Sequence, residues 1–233
     1  MLNEIFFLAK GKNKRYERKF FVSDLSLPEI KSLVRVHPAC FRQDYPQRRI
    51  SSIYLDSFGL DSYFDNLAGI GNRIKTRIRW YGDGFEKVNN PVLEIKIKEN
   101  LLGSKLRYPL EDFSLNKNLS KVLQFAIKTS NIPKNLKLYL SGLRNSSINS
   151  YMREYYISAD KKFRLTIDYD LCFYNSNKKM IDRDVSNIIL ELKHDMENDN
   201  EARFVSSQFP FRVTKNSKYV VGVEKSFLFL ESC

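Results

Sequence analysis

Within residues 73 to 80, a basic side chain stands at every second position. These basic residues are Arg73, Lys75, Arg77 and Arg79. A row of guanidinium and ammonium groups is suited to binding phosphate, because Arg gives bidentate contacts and Lys acts as a point charge. Like charges this close repel one another, so the pattern predicts that an anion lies along the row.

The residues between the cations are apolar or β-branched, and they include Ile74, Ile78 and the only tryptophan, Trp80. Side chains alternate faces along a β-strand, so a strand would put all four cations on one face. A helix would scatter the same charges around its axis. Alternation also occurs in any antiparallel sheet with one solvated face, so this segment alone leaves a solvated surface as an alternative.

Five further segments repeat the alternation of charged and apolar residues. They are residues 16–20, 92–98, 151–153, 164–168 and 190–193. Their charged faces carry mostly Arg and Lys with single carboxylates, whereas a solvated face usually mixes the two signs. We therefore predict an α+β protein built on a closed antiparallel β-barrel, with the charged faces turned inward to form a cationic tunnel.

The apolar outer faces of such a barrel need a cover, and four stretches have apolar residues at helical spacing. They are the segment after Ser26 with Pro28 in its first turn, residues 119–127, residues 56–69 and, with a weaker pattern, residues 136–143. Residues 175–184 and 195–200 are expected to be loops between strands. The sequence thus predicts helices packed outside the barrel.

The length and charge restrict the class of protein. The chain has 233 residues, and we expect one domain over residues 1–233 because no linker or repeat interrupts it. The net charge of +12 predicts a polyanionic partner. We expect no binding to nucleic acid, because the aromatic residues mostly alternate away from the cations and a tunnel gives a duplex no access to them.

The cysteines and histidines show no metal-ligand spacing. Cys40, Cys172 and Cys233 are odd in number, and His37 and His194 are isolated, so we expect free thiols in a reducing compartment and no zinc site. The N-terminal apolar run is too short for a signal peptide, and no apolar stretch approaches twenty residues. We therefore expect a cytoplasmic protein without a membrane span, whose membrane partner, if it has one, is a separate protein.

Nine motifs occur in an order that is typical of one known family. They are residues 16–20 (Tyr-Glu-Arg-Lys-Phe), 52–56 (Ser-Ile-Tyr-Leu-Asp), 77–82 (Arg-Ile-Arg-Trp-Tyr-Gly), 93–98 (Leu-Glu-Ile-Lys-Ile-Lys), 103–105 (Gly-Ser-Lys), 151–153 (Tyr-Met-Arg), 164–168 (Arg-Leu-Thr-Ile-Asp), 190–193 (Leu-Glu-Leu-Lys) and 217–219 (Ser-Lys-Tyr). Together they resemble the polyphosphate polymerase domain of the vacuolar transporter chaperone (VTC) family, a branch of the CYTH-like triphosphate tunnel metalloenzymes.

The resemblance implies an ATP-dependent polymerase that transfers the γ-phosphate of ATP onto inorganic polyphosphate, with Mn²⁺ or Mg²⁺ bound in the tunnel. It implies that Glu191 is the metal ligand. The residues implied to be catalytic are Arg77, Arg79, Lys96, Arg153 and Lys218. Those implied to bind substrate, or to share the inward face with residues that do, are Lys19, Arg73, Lys75, Lys98, Lys105, Tyr151, Arg164, Lys193 and Ser217. Asp168 is expected to orient the Arg164 guanidinium rather than to contact substrate.

One departure from the superfamily pattern indicates which branch of the superfamily the chain resembles. The superfamily often begins with Glu-x-Glu-x-Lys, and Arg15 stands where the first Glu would fall, which leaves Glu17 and Lys19. This favours the VTC branch and leaves fewer carboxylates for a hydrolytic two-metal site.

Two alternatives use the same tunnel. In a tripolyphosphatase or nucleoside triphosphatase, water would replace the chain terminus as the nucleophile, and the same cations and metal would serve. In a non-catalytic polyphosphate-binding module, several tunnel cations or the metal carboxylate would be missing. Glu191 itself has a structural alternative, an ion pair with an inward Lys or Arg.

Overall fold

The computed structural model describes residues 2–9, 14–82, 86–115, 118–175, 177 and 179–231. Its strands in chain order are β1 (Arg15–Val22), β2 (Arg42–Asp56), β3 (Asn72–Tyr81), β4 (Lys87–Val88), β5 (Val92–Glu99), β6 (Leu102–Pro109), β7 (Phe113–Ser114), β8 (Arg144–Ile157), β9 (Arg164–Tyr174), β10 (Met180–Asp184) and β11 (Ile188–Asp195). Its helices are α1 (Leu2–Leu8), α2 (Leu27–Val36), α3 (Asp61–Leu67), α4 (Leu119–Thr129), α5 (Lys134–Ser141), a 3₁₀ turn (Met196–Asn198), α6 (Asp199–Ser207) and α7 (Lys218–Glu231).

Eight strands close into a barrel. Their order is β9-β11-β1-β6-β5-β3-β2-β8, and the pairing of β8 with β9 completes the ring. Every pairing is antiparallel, and β10 extends one side by pairing with β9. The predicted closed antiparallel barrel is therefore confirmed.

The strand register brings residues of opposite charge together on the inner wall. Lys19 on β1 lies opposite Glu191 on β11, and Arg77 on β3 lies opposite Glu94 on β5. One junction is thin, because β1 and β6 share a single registered pair, Arg15 with Gly103. The neighbouring β5–β6 junction has eight registered pairs.

The outer faces of the strands form the hydrophobic core with the helices. Ile74, Ile78 and Trp80 are buried in one cluster with residues of α1, α4 and α5. On the other side, apolar residues of β1, β9 and β11 pack against α2 and α6. The apolar side of each alternating strand thus faces the helices, and the charged side is left to the barrel interior, as the alternation predicted.

The helix predictions agree with the structure in four places and are incomplete in three. The stretch after Ser26 and residues 56–69 contain α2 and α3, and residues 119–127 and 136–143 overlap α4 and α5. Glu29 accepts a hydrogen bond of 2.7 Å from the backbone of Ser26, which caps the start of α2. The sequence did not predict α1, α6 or α7. Part of the expected loop over residues 175–184 is β10, and residues 196–200 of the expected loop over residues 195–200 are helical.

Helix α7 packs against the inner wall of the barrel as well as against α3. Its Val221 contacts an apolar cluster of inward-facing residues that includes Ile50, Phe173 and Ile189. The approach is close, since a Cβ added to Gly222 would lie 2.1 Å from the hydroxyl of Ser147. This cluster and α7 together fill part of the interior, and the polar remainder is a cavity.

Two of the three thiols lie in the described part of the chain. Cys40 is exposed and Cys172 is buried, and both are free, as expected. Cys233 lies outside the described residues. Across the same described ranges, no helix has the length and apolar character needed to cross a membrane.

Candidate functional site

The inward-facing side chains surround a cavity of about 830 Å³. Its described lining contains twelve basic residues and only three carboxylates. The basic residues are Arg15, Lys19, Arg73, Lys75, Arg77, Lys96, Lys98, Lys105, Arg153, Lys193, Lys215 and Lys218, and the carboxylates are Glu17, Glu94 and Glu191. Most of the net charge of the chain is thus concentrated on one concave surface, which is suited to a polyanion.

Glu191 lies at the centre of one group of cations. Its Oε1 lies 2.9 Å from Nζ of Lys19, and its Oε2 lies 2.7 Å from Nζ of Lys193 and 3.0 Å from Nη2 of Arg153. Burial would raise the pKa of Glu191, but Lys19, Lys193 and Arg153 outweigh it and hold that pKa well below its usual range. Glu191 is therefore an ionised acceptor on the cavity wall.

Asp168 lies behind this group and is completely buried. It accepts hydrogen bonds from Nε and Nη2 of Arg153, the latter at 2.5 Å, and from Nζ of Lys218, also at 2.5 Å. The expectation that Asp168 orients Arg164 is wrong, because its partners come from β8 and α7. Asp168 instead fixes two cavity cations at once.

Glu94 organises a second group. It accepts from Nη2 of Arg77 at 2.6 Å and from Nε of Arg107 at 3.1 Å, and Nη2 of Arg79 lies 3.4 Å from its Oε1. Burial would raise the pKa of Glu94, but Arg77, Lys105 and Arg79 lower it below its usual range. Glu94 therefore stays ionised and holds these guanidinium groups in place.

Glu17 forms a third, smaller group on β1. Its Oε2 accepts a hydrogen bond of 2.5 Å from Nζ of Lys96. Its Oε1 lies 3.8 Å from Nζ of Lys19 and 3.9 Å from Nζ of Lys193, so Glu17 and Glu191 share these two lysines.

Five cavity cations lack such partners. Within the described ranges, no ion pair with a carboxylate is formed by Arg73, Lys75, Lys98, Lys105 or Lys215. Burial, together with the charges of Lys19, Lys96 and Arg73, lowers the pKa of Lys75 to about 6. Burial likewise lowers the pKa of Lys105 and of Lys98. These groups gain the most from an incoming anion, because no carboxylate of the described wall lies within ion-pair distance of them.

One wall of the cavity is formed by residues 213–217, which we call the strap and of which the sequence predicted only Ser217. The amide of Thr214 donates to the carbonyl of Lys19 at 2.8 Å, and Val213 bridges to β1. At its other end, Nζ of Lys75 donates to the hydroxyl of Ser217 at 2.8 Å. The strap brings Lys215 to the cavity and places Lys218, at the start of α7, against Asp168.

The structure brings thirteen of the fifteen predicted site residues to the cavity. They are Lys19, Arg73, Lys75, Arg77, Lys96, Lys98, Lys105, Tyr151, Arg153, Glu191, Lys193, Ser217 and Lys218. Arg79 contacts Glu94 but does not line the cavity, and Arg164, the first residue of β9, is exposed and lies away from it. Arg15, Tyr54 and Lys215 line the cavity and were not predicted; only Arg15 shares the face of a predicted strand, two residues before Glu17.

The donor set restricts the kind of metal that the cavity could hold. The described residues contain no group of three or more His, Cys, Asp or Glu placed to bind one. Glu191 and Glu17 do present hard oxygen atoms beside the same two lysines. Mg²⁺ usually binds through one or two carboxylates together with substrate phosphates. The carboxylates present therefore fit a divalent ion of this kind, with phosphate oxygens completing its ligands.

Comparisons with known proteins agree with this geometry. A sequence model of the VTC domain family matches residues 14–227. The fold is similar to a putative adenylyl cyclase from Hippeastrum with a dominant triphosphatase activity, at TM-score 0.54 and 12% identity over 91% of this chain and 95% of that chain. It is also similar to a putative adenylate cyclase from Vibrio parahaemolyticus, at TM-score 0.51 and 12% identity over 91% and 99% of the two chains. No curated protein matches the sequence.

Proposed function

Because the chain belongs to the VTC domain family, we propose that it transfers the γ-phosphate of ATP onto a growing inorganic polyphosphate chain inside the cavity. The observation that carries the proposal is the lining of twelve basic residues against three carboxylates. Several of these cations have no carboxylate partner in the described wall, so phosphate groups would supply the missing negative charge.

Phosphoryl transfer needs positioning and charge stabilisation more than a protein nucleophile. Arg77 and Arg153 each have a guanidinium held by a buried carboxylate, Glu94 and Asp168 respectively, so both are oriented before the substrate arrives. They would bind the triphosphate through bidentate contacts, and Lys218 and Lys19 would add point charges beside Glu191. The terminal phosphate of the polyphosphate chain would attack the γ-phosphorus in line with the departing ADP.

Glu191 and Glu17 would hold a Mg²⁺ or Mn²⁺ together with phosphate oxygens. When bound, the ion supplies positive charge at the oxygens of the transferring group. Lys19, Lys193, Arg153 and Lys218 all lie within ion-pair distance of Glu191, so this carboxylate would hold a divalent ion only when phosphate groups offset these cations.

The test is to incubate the purified protein with ATP and either Mn²⁺ or Mg²⁺ and to separate the products by gel electrophoresis and thin-layer chromatography. Long polyphosphate with ADP is expected. Release of free phosphate alone would instead identify a triphosphatase, and intact ATP with retained polyphosphate binding would identify a non-catalytic binding module.

A further inference from the structure

Three tyrosines surround one arginine near the ends of β3 and β8, two residues beyond Arg79 and Arg153. The guanidinium of Arg48 lies 5.5 Å from the ring centroid of Tyr45, 5.1 Å from that of Tyr81 and 5.8 Å from that of Tyr155. The rings of Tyr45 and Tyr155 meet edge to face, with centroids 5.9 Å apart. We call Tyr45, Tyr81 and Tyr155 the tyrosine collar. Tyr45 is 50% exposed and Tyr81 is 47% exposed, so aromatic surface remains free beside the guanidinium.

The collar continues the cation rows of two strands. Tyr81 follows Arg79 by two residues on β3, and Tyr155 follows Arg153 by two residues on β8, so each tyrosine shares the face of its cation. Two residues of a strand span about 6.7 Å. The link to Arg79 is direct, since its guanidinium lies 5.2 Å from the Tyr81 ring and its Nη2 donates to the Tyr81 hydroxyl at 3.4 Å.

This placement differs from that of the aromatic residues in the outer apolar core. Trp80 and Phe20, for example, are buried on the outer face among apolar residues. Tyr81 and Tyr155 stand on the charged face with part of each side chain exposed, next to guanidinium groups that already bind carboxylates. A ligand that contacts both the tyrosine rings and the neighbouring guanidinium groups has an aromatic ring at one end and anionic groups at the other.

We propose that the tyrosine collar binds the nucleobase of the nucleotide donor, an inference that rests on the proposed function. The base stacks on a tyrosine ring and on the planar guanidinium of Arg48, as bases do on aromatic and arginine surfaces elsewhere. The triphosphate then extends from the collar along Arg79 and Arg153 into the cavity. The collar is what allows the protein to distinguish ATP from inorganic polyphosphate, which has the same anionic groups but no base.

The test compares two ligands that differ by the nucleoside. Dissociation constants for ATP and for tripolyphosphate are measured by calorimetry in EDTA, for the wild type and for Tyr81→Ala, Tyr155→Ala and Arg48→Ala. Tyr81→Phe keeps the ring and serves as the conservative variant. Phe125→Ala removes an aromatic side chain of similar exposure from α4, away from the barrel interior, and serves as the matched control.

We expect each alanine variant of the collar to weaken ATP binding by about tenfold, in the range of one lost stacking contact. Tripolyphosphate affinity should change by less than about twofold. Phe125→Ala should behave as the wild type, and Tyr81→Phe, which keeps the ring, should lose less ATP affinity than Tyr81→Ala. Equal losses for both ligands, or no loss for either, would overturn the inference and leave the proposed function standing. Tyrosine-dependent ATP binding without polyphosphate synthesis would support the collar and overturn the polymerase. A wild type that binds neither ligand would overturn both.

Discussion

Nζ of Lys75 donates a hydrogen bond of 2.8 Å to the hydroxyl of Ser217, which joins a cation on β3 to the residue preceding α7. No carboxylate of the described wall pairs with Lys75, and burial with three nearby cations lowers its pKa to about 6. At pH 7.5 the amine is therefore mostly neutral in the empty cavity, and a bound anion would raise its pKa and draw in a proton.

Triphosphate binding should consequently take up protons above pH 6. We expect affinity to rise as the pH falls from 9 towards 7, and calorimetry in two buffers of different ionisation enthalpy at pH 7.5 should show uptake of part of a proton by the protein. Replacing Lys75 by Met should remove most of that uptake. The same uptake in the Lys75→Met protein would show that another group is responsible.

The same group should affect stability. Between about pH 6 and its ordinary pKa of 10.5, the unfolded chain holds a proton on Lys75 and the folded chain does not. The unfavourable contribution of Lys75 is thus complete below pH 6 and disappears as the pH approaches 10.5. We expect Lys75→Met to raise Tm at pH 6, and to raise it less at pH 10. Thermal unfolding followed by circular dichroism at the two pH values measures this difference.

Lys218→Ala and Arg79→Ala should each lower kcat/KM for nucleotide turnover by about ten- to a hundredfold, the cost of one charged hydrogen bond. Arg203→Ala is the matched control, since Arg203 lies on α6 and is 71% exposed as a side chain. Steady-state kinetics with ATP and the divalent ion measures the effect. Unchanged kinetics in either Lys218→Ala or Arg79→Ala would remove that residue from the site.

Glu191→Gln should raise the concentration of Mn²⁺ or Mg²⁺ needed for half-maximal activity by at least about tenfold, because the amide is a poorer ligand for a hard cation. Glu154→Gln provides a control, since Glu154 is also buried but pairs with Lys31 from α2 rather than with a cavity cation. If titration with metal gives the same midpoint for Glu191→Gln and the wild type, Glu191 serves only as an ion-pair partner.

Asp168→Asn should destabilise the fold by about 3 to 5 kcal/mol, because it removes the buried anion between Arg153 and Lys218. Turnover measured well below Tm should fall as well, since both cations lose their orientation. Denaturant unfolding and kinetics test the two effects separately. Asp199→Asn, which breaks an ion pair with Arg18 on the outer face, should cost less than about 1 kcal/mol.

Gly222→Ala should displace α7, because the added Cβ would overlap the hydroxyl of Ser147 at 2.1 Å. We expect a lower Tm and reduced activity, since Lys218 lies one turn earlier on the same helix. Adding Ser147→Ala should restore part of both, as the Ser147 hydroxyl is buried without a hydrogen-bond partner. Gly142→Ala is the control, with its nearest neighbour at 3.6 Å. If Gly222→Ala leaves the activity unchanged, the position of α7 does not affect the site.

The alternation of Arg73, Lys75 and Arg77 predicted a strand, because a period of two is encoded locally. The inward direction of the cationic face was predicted only from the repetition of this pattern in five further segments. The partners of Asp168 could not be predicted, since they depend on the register of β8 with β9 and on where α7 docks. Helix α7 itself was missed because Tyr219, Val220, Val221 and Val223 are apolar at nearly consecutive positions, which hides any amphipathic period. Within the strap only Ser217 gave a signal, as part of the motif over residues 217–219. The placement of residues 213–216 depends on the backbone bridge of Val213 to β1.

The thin junction between β1 and β6 has a mechanical consequence. In a closed barrel, the strand pairings follow one another around the ring. The pairing with the fewest backbone contacts therefore separates first when the barrel widens, and here it is the single registered pair between β1 and β6. The ion pair of 2.5 Å between Glu17 on β1 and Lys96 on β5 links the two strands on either side of β6 and so reinforces this junction. A polyanion bound to Lys96 would compete with Glu17 and weaken that link, so ligand binding would make the barrel easier to widen.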